Sequence, residues 1–158
     1  MQWKEVCENK QLEDLPFKIE TNKWGQIVMS PAKFKHSFYQ GRIMSILAEL
    51  MDTGQPIPEA AIQTTDGVKV ADVVWCSDGR LVQILEEDVA SIAPEICVEV
   101  KSGSNTFKEM EEKKNLYFEA GAVEVWLCNE AGDVRFYNQQ NELKNSLLVP
   151  DFPNKIVI

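Results

Sequence analysis

Asp72 stands where an aspartate is unexpected. It falls in the apolar run 68–76, where period-two alternation puts Val68, Val70, Asp72, Val74 and Cys76 on one strand face. A carboxylate among four apolar neighbours is costly unless it is paired or does chemistry. The run 95–101 holds a second irregularity. Ile96, Val98 and Val100 form an ordinary core face, while Glu95, Cys97, Glu99 and Lys101 occupy the other. Glu99 and Lys101 project together about 7 Å apart along the strand. Two carboxylates and a lysine that meet on neighbouring strands suit hard-cation chemistry. Mg²⁺, or Mn²⁺ in its place, takes oxygen ligands, commonly one or two carboxylates completed by water and substrate phosphate. Such an ion neutralises phosphate charge and acidifies a water. A lysine beside that water positions it or stabilises the charge that develops. The competing reading is structural, with Asp72 held by backbone N–H groups or by Lys101, and Glu99 and Lys101 on a solvated strand end.

The elements that carry these residues follow from periodicity and turn chemistry. Residues 1–14 are polar and suit a short helix. Residues 17–20 and 26–29 form a hairpin turned through Asn22 to Gly25. Ser30-Pro31 is expected to open a helix whose apolar positions Tyr39, Ile43, Ile46, Leu47 and Leu50 recur at helical spacing. Gly54, Pro56 and Pro58 end it. Strands at 61–64 and 68–76 join through Thr65-Asp66-Gly67, and a third strand spans 95–101. The stretch 81–92 has no clear period. A helix over 106–120 is capped at its start and stopped by Gly121. Strands at 123–128 and 134–138 follow, with a last short strand at 155–158. The mixture lacks strict βα alternation, so the expected fold is a mixed sheet with helices packed on it, as one domain over residues 1–158.

Composition narrows the partners. The 158 residues carry 16 Lys and Arg against 25 Asp and Glu, a net charge of −9. So acidic a chain does not coat nucleic acid non-specifically; contact with a polyanion must be local or assisted by a cation. The four cysteines form no C-x-x-C pair and His36 is the only histidine. Zinc ribbons and fingers are thereby excluded, and a Cys–His–Asn hydrolase has few options. Cys76, Cys97 and Cys128 read as reduced core residues. With no signal-like start and no membrane-length apolar run, a soluble cytoplasmic protein is expected.

Asp72 followed by Glu99-Val100-Lys101 reproduces the D…(D/E)-x-K signature of the PD-(D/E)XK nuclease superfamily. The surrounding text resembles the Uma-two family of restriction-endonuclease-like proteins. Gly25-Gln-Ile-Val-Met-Ser-Pro-Ala with His36 is similar to that family's opening hairpin and helix entry. Asp66-Gly67-Val-Lys-Val-Ala71-Asp72 resembles its "G…PD" strand, with Ala71 in place of the proline. Ala93-Pro94-Glu-Ile-Cys-Val-Glu99-Val100 resembles its "P…vvEV" strand, and the segment from Lys113 through Tyr117 and Gly121 to Trp126 resembles its "K…Y…G…eyWl" text. The likeness covers about residues 17–158, in order.

The resemblance implies a restriction-endonuclease-like α/β fold with an N-terminal β-hairpin, and a Mg²⁺-dependent nuclease that hydrolyses phosphodiester bonds in DNA. Asp72, Glu99 and the Val100 carbonyl would be metal ligands; Lys101 and Lys113 would serve catalysis, the former at the metal-bound water and the latter on phosphate. Many family members have an apolar residue at the Lys101 position and rely on the helix lysine; helical periodicity alone does not choose between Lys113 and Lys114, and the family's spacing to Tyr117 selects Lys113. Glu49 is a further ligand candidate or a surface helix glutamate. His36 falls on the inward side of its helix and either approaches the site or is a satisfied half-buried histidine; Lys33, Lys35 and Arg42 form a basic patch or a solvated helix face. Cutting two strands suits a homodimer. The rival reading is a non-catalytic nucleic-acid-binding or regulatory module that keeps the fold. Finally, two close carboxylates are expected to raise each other's pKa, so that Asp72→Asn and Glu99→Gln would both preserve or increase stability without metal.

Overall fold

The computed structural model describes residues Met1–Ile158. Two sheets are present. The smaller is the antiparallel hairpin of β1 (Phe17–Thr21) and β2 (Ile27–Pro31), preceded by a short helix α1 (Trp3–Glu8) and one 3₁₀ turn (Lys10–Leu12). The larger has six strands in sequential order: β3 (Gln55–Thr64), β4 (Gly67–Cys76), β5 (Ile96–Val100), β6 (Glu124–Cys128), β7 (Val134–Tyr137) and β8 (Glu142–Leu143). All neighbours are antiparallel except β5 and β6, whose parallel pairing needs a crossover. Helix α4 (Phe107–Glu119) provides it. Its start is held by Thr106, whose hydroxyl accepts from the Glu109 amide while Glu109 accepts from the Thr106 amide.

Each face of the large sheet is covered by one helix. Helix α2 (Phe34–Leu50) sets Tyr39, Ile43 and Leu47 against Val73, Ile96, Val98 and Trp126. Helix α4 sets Met110 and Tyr117 against Val74, Cys97, Val125 and Leu127. The period-3.6 stripe of each helix therefore meets the period-two face of the strands. Cys76, Cys97 and Cys128 are buried and unpaired, as expected of reduced core residues. No helix is long and apolar enough to cross a membrane.

Four expected boundaries move. Ser30 and Pro31 end strand β2, paired with Lys18 and Phe17, and α2 begins only at Phe34. A proline's missing N–H is tolerated at the end of a two-stranded pair, so hairpin pairing wins over helix entry. Strand β3 begins at Gln55 rather than at residue 61, despite Pro56 and Pro58. It is the edge of the sheet, where a strand carries proline at little cost. A helix α3 (Asp78–Ile84), capped by the Ser77 hydroxyl, occupies part of the aperiodic stretch. Residues 155–158 form no strand: Lys155 makes one bridge to Asp133, and the last strand is β8.

Glu124 anchors the end of the chain. It is buried on β6, where its carboxylate accepts from Trp126 Nε1 (2.8 Å), Ser146 Oγ (2.6 Å) and the amides of Leu147 (2.7 Å) and Leu148 (3.0 Å). Removing one acceptor group orphans four donors. Glu124→Ala should therefore lower unfolding free energy by roughly 3 kcal/mol or more in urea titration. A midpoint equal to wild type would show that water replaces the carboxylate.

Candidate active site

The site forms where β4 and β5 part. Their ladder covers only Val73↔Val98, Val74↔Cys97 and Trp75↔Ile96. Continued by one step, it would set Asp72 opposite Glu99, but no pairing is made there. On the other side of β4, Pro58 pairs with Val73 and Ala60 with Ala71, skipping Glu59, which has a positive φ of 49°. The facial alternation slips at the same place: Ala71 belongs to the α4 core and Val73 to the α2 core. Backbone donors freed by the divergence find side-chain acceptors, as buried amides must. Val100 N donates to Asp72 Oδ2 at 2.7 Å, Val70 N to Glu20 Oε2 at 2.7 Å, and Val68 N to Thr21 Oγ1 at 2.9 Å. The hairpin thus docks onto β4 through side chains and carries Lys18 and Glu20 with it.

A cavity of about 220 Å³ results, lined among others by Lys18, His36, Asp72, Glu99, Val100 and Lys113. Asp72 and Glu99 are each only 1% exposed. Lys18 Nζ lies 2.9 Å from Asp72 Oδ1, and His36 Nε2 lies 3.1 Å from Oδ2. Glu99 Oε1 accepts from the Tyr117 hydroxyl at 2.5 Å, while Oε2 faces Lys113 Nζ at 3.5 Å. Lys113 is bound more closely to Glu20, at 2.8 Å.

These surroundings treat the two carboxylates oppositely. Burial works against ionisation of Asp72, but Lys18, His36 and the Val100 amide outweigh it and hold the carboxyl well below the usual range. Burial dominates at Glu99, whose pKa is raised. Lys113 and Lys18 offset only part of that, and Asp72 and Glu20 add to the rise. The hydrogen bond to Asp72 raises His36 above its ordinary value despite burial. Glu20 is lowered, because Lys113 and Lys18 overcome its burial. The expectation that Asp72 and Glu99 both shift upward therefore fails for Asp72. Its cations come from β1 and α2, elements that lie far away in sequence.

The family model described as "Putative restriction endonuclease", Uma2, matches residues 10–155. The chain belongs to the Uma2 family. A crystal structure of "a putative nuclease belonging to DUF820" from Anabaena variabilis ATCC 29413 shares its fold. The TM-score is 0.73 at 19% identity, over 90% of this chain and 83% of that one. No curated protein matches the chain.

Within this Uma2 fold, the structure brings Asp72, Glu99, Val100 and Lys113 to one cavity together with His36. It does not bring Lys101 there. Strand β5 ends at Val100, and Lys101 turns away to Glu130 Oε1 at 3.1 Å, over the ring of Phe107. Glu49 and Arg42 are exposed on α2 and line no part of the cavity. Lys114 pairs with Glu111 at 2.7 Å, which separates it from Lys113. Lys18 and Glu20 are the site residues that sequence reasoning missed. Their signal was two opposite charges on one face of β1, which looks like a solvated strand until the hairpin is docked.

As a metal site, the donor set fits by type. Asp72, Glu99 and the Val100 carbonyl are hard oxygen donors, and each carboxylate oxygen has about two acceptor positions. No cluster of three or more His, Cys, Asp or Glu side chains is poised to bind an ion; an ion held by Asp72 and Glu99 would take its remaining ligands from water and substrate. Lys18 already lies on Asp72, and an ion has to share that carboxylate with it or displace it.

Proposed function

We propose that this Uma2-family chain is a Mg²⁺- or Mn²⁺-dependent nuclease that hydrolyses phosphodiester bonds in DNA. The supporting observation is the meeting of two buried carboxylates with Lys113 in one cavity, at the point where β4 and β5 diverge. Asp72, Glu99 and the Val100 carbonyl would hold the ion, which when bound supplies charge neutralisation for phosphate and a more acidic water. His36 and the Val100 amide orient Asp72. Tyr117 fixes the rotamer of Glu99 through its hydroxyl. Lys113, facing Glu99 from α4, is the cation placed to orient the attacking water and stabilise charge on the phosphoryl oxygens. Lys101 keeps no role at the reacting phosphate in this reading.

A non-catalytic binding module is the second reading. It is favoured by Asp72 being held by Lys18 and His36, so that its charge is balanced without an ion. Titration of Mg²⁺ and Mn²⁺ with supercoiled DNA separates the two, with Glu99→Ala as the control. The nuclease produces nicked and linear DNA in proportion to metal, and the control does not. Supercoiled and single-stranded DNA both left intact at every metal concentration, by a protein with native circular dichroism, leave the binding module.

A further inference from the structure

Beside the cavity lies a second pocket of about 130 Å³, which shares His36 and Ser102 with it and is otherwise lined by Lys33, Lys35, Tyr39, Lys101, Gly103 and Glu130. Lys33 and Lys35 form no salt bridge, and Lys101 pairs only with Glu130. The Lys33 ammonium lies close over Gly103. In a chain of net charge −9, this is a local concentration of cations next to the carboxylates.

Two exposed aromatic rings accompany it. Phe34, between Lys33 and Lys35 in the chain, is 91% exposed at the first turn of α2. Phe107, 58% exposed at the first turn of α4, lies beneath Lys101 with Nζ 5.7 Å from its centroid. Neither ring belongs to the core on either face of the sheet. Lysines that track phosphate combined with aromatic rings open to stacking are the chemistry of a single-strand site, because the bases of a duplex already stack on one another.

We infer that this pocket holds the phosphate flanking the reacting one, that Phe34 and Phe107 stack on unpaired bases, and that the substrate is nucleic acid with single-stranded character. Glu130 gives up Lys101 when the strand binds; it is half exposed on a turn, so water replaces that contact. The substrate class rests on the nuclease reading, whereas the pocket and its rings are read independently of it.

Binding is measured by fluorescence anisotropy in EDTA, with labelled single-stranded and duplex DNA of equal length. Single strands should bind at least about tenfold more tightly than duplex. The double variant Phe34→Ala/Phe107→Ala should lose roughly tenfold or more on single strands and little on duplex, with an unchanged melting temperature because both rings are exposed. Lys33→Gln with Lys35→Gln should flatten the salt dependence by about one unit of log–log slope. Equal or tighter duplex binding overturns the inference, as does wild-type affinity in the double variant. Conversion of a dimer to a monomer by that variant, with DNA affinity unchanged, also overturns it and assigns the rings to an interface between copies. Strand binding without metal-dependent cleavage removes the nuclease reading alone; cleavage by a protein that prefers duplex removes this inference alone.

Discussion

Lys113→Met should lower turnover on DNA by at least about 10²-fold, while Lys101→Met should leave turnover within a few-fold of wild type. The difference follows from position. Lys113 reaches from α4 to 3.5 Å from Glu99 and lines the cavity that holds both carboxylates. Lys101 follows Glu99 closely in the chain, but the strand ends at Val100 and its amine pairs with Glu130 in the adjoining pocket. Loss of a cation at the reacting phosphate removes stabilisation present mainly in the transition state, so turnover falls more than affinity. Loss of Lys101 should instead raise KM and reduce the salt dependence of binding. Single-turnover rates with saturating enzyme make the comparison cleanly. A large loss in Lys101→Met with an active Lys113→Met would reverse the assignment and require the 101 side chain to swing into the cavity.

The two carboxylates should part company in stability as well. In metal-free buffer at neutral pH, Asp72→Asn is expected to lose roughly 3 kcal/mol, while Glu99→Gln is expected to be neutral or stabilising. Asp72 is ionised and compensated, and neutralising it strands the Lys18 ammonium in a largely buried place. Removing one partner from such a pair carries about that cost. Glu99 is raised by burial, so its charged form is a burden to the native state, and Gln can still accept from Tyr117. Lys113 meanwhile keeps Glu20.

The pH dependences have opposite signs. The Asp72 contribution is present above its unfolded pKa near about 4 and is lost as pH falls through its depressed native value. The Glu99 penalty is full above its raised native pKa and fades as pH falls through that value toward the unfolded one. Urea midpoints for wild type and both variants at pH 7, pH 5 and pH 3 test this, because the Asp72 contribution changes only below its unfolded pKa while the Glu99 penalty fades above it. Strong destabilisation by Glu99→Gln at pH 7 would show that its charge is a structural requirement.

Composition, turn residues and periodicity were sufficient to read the hairpin, both long helices, five strands of the large sheet (β3 with its start displaced) and a mixed sheet with helices packed on it. Asp72 and Glu99 were legible for one reason: a charge on an apolar strand face breaks a period-two pattern, and that break is visible without coordinates. Lys18 and Glu20 broke no pattern. Alternating charged residues on a short strand are what a solvated hairpin also shows, and only the docking of β1 against β4 buries them. The edge position of β3, which tolerates Pro56 and Pro58, is likewise a property of the assembled sheet.

The choice between Lys101 and Lys113 shows where the division lies. By itself the sequence determined the strand face of Glu99, because local periodicity is a property of neighbouring residues; on the helix, periodicity did not separate Lys113 from Lys114, and the resemblance to the family selected Lys113. Tertiary structure alone decided which amine meets the carboxylates, through the end of β5 at Val100 and the packing of α4 across the sheet. It also decided the opposite titration of Asp72 and Glu99. A pKa depends on charges within a few ångströms and on burial, and those charges arrive from β1, α2 and α4, which only the folded chain brings together.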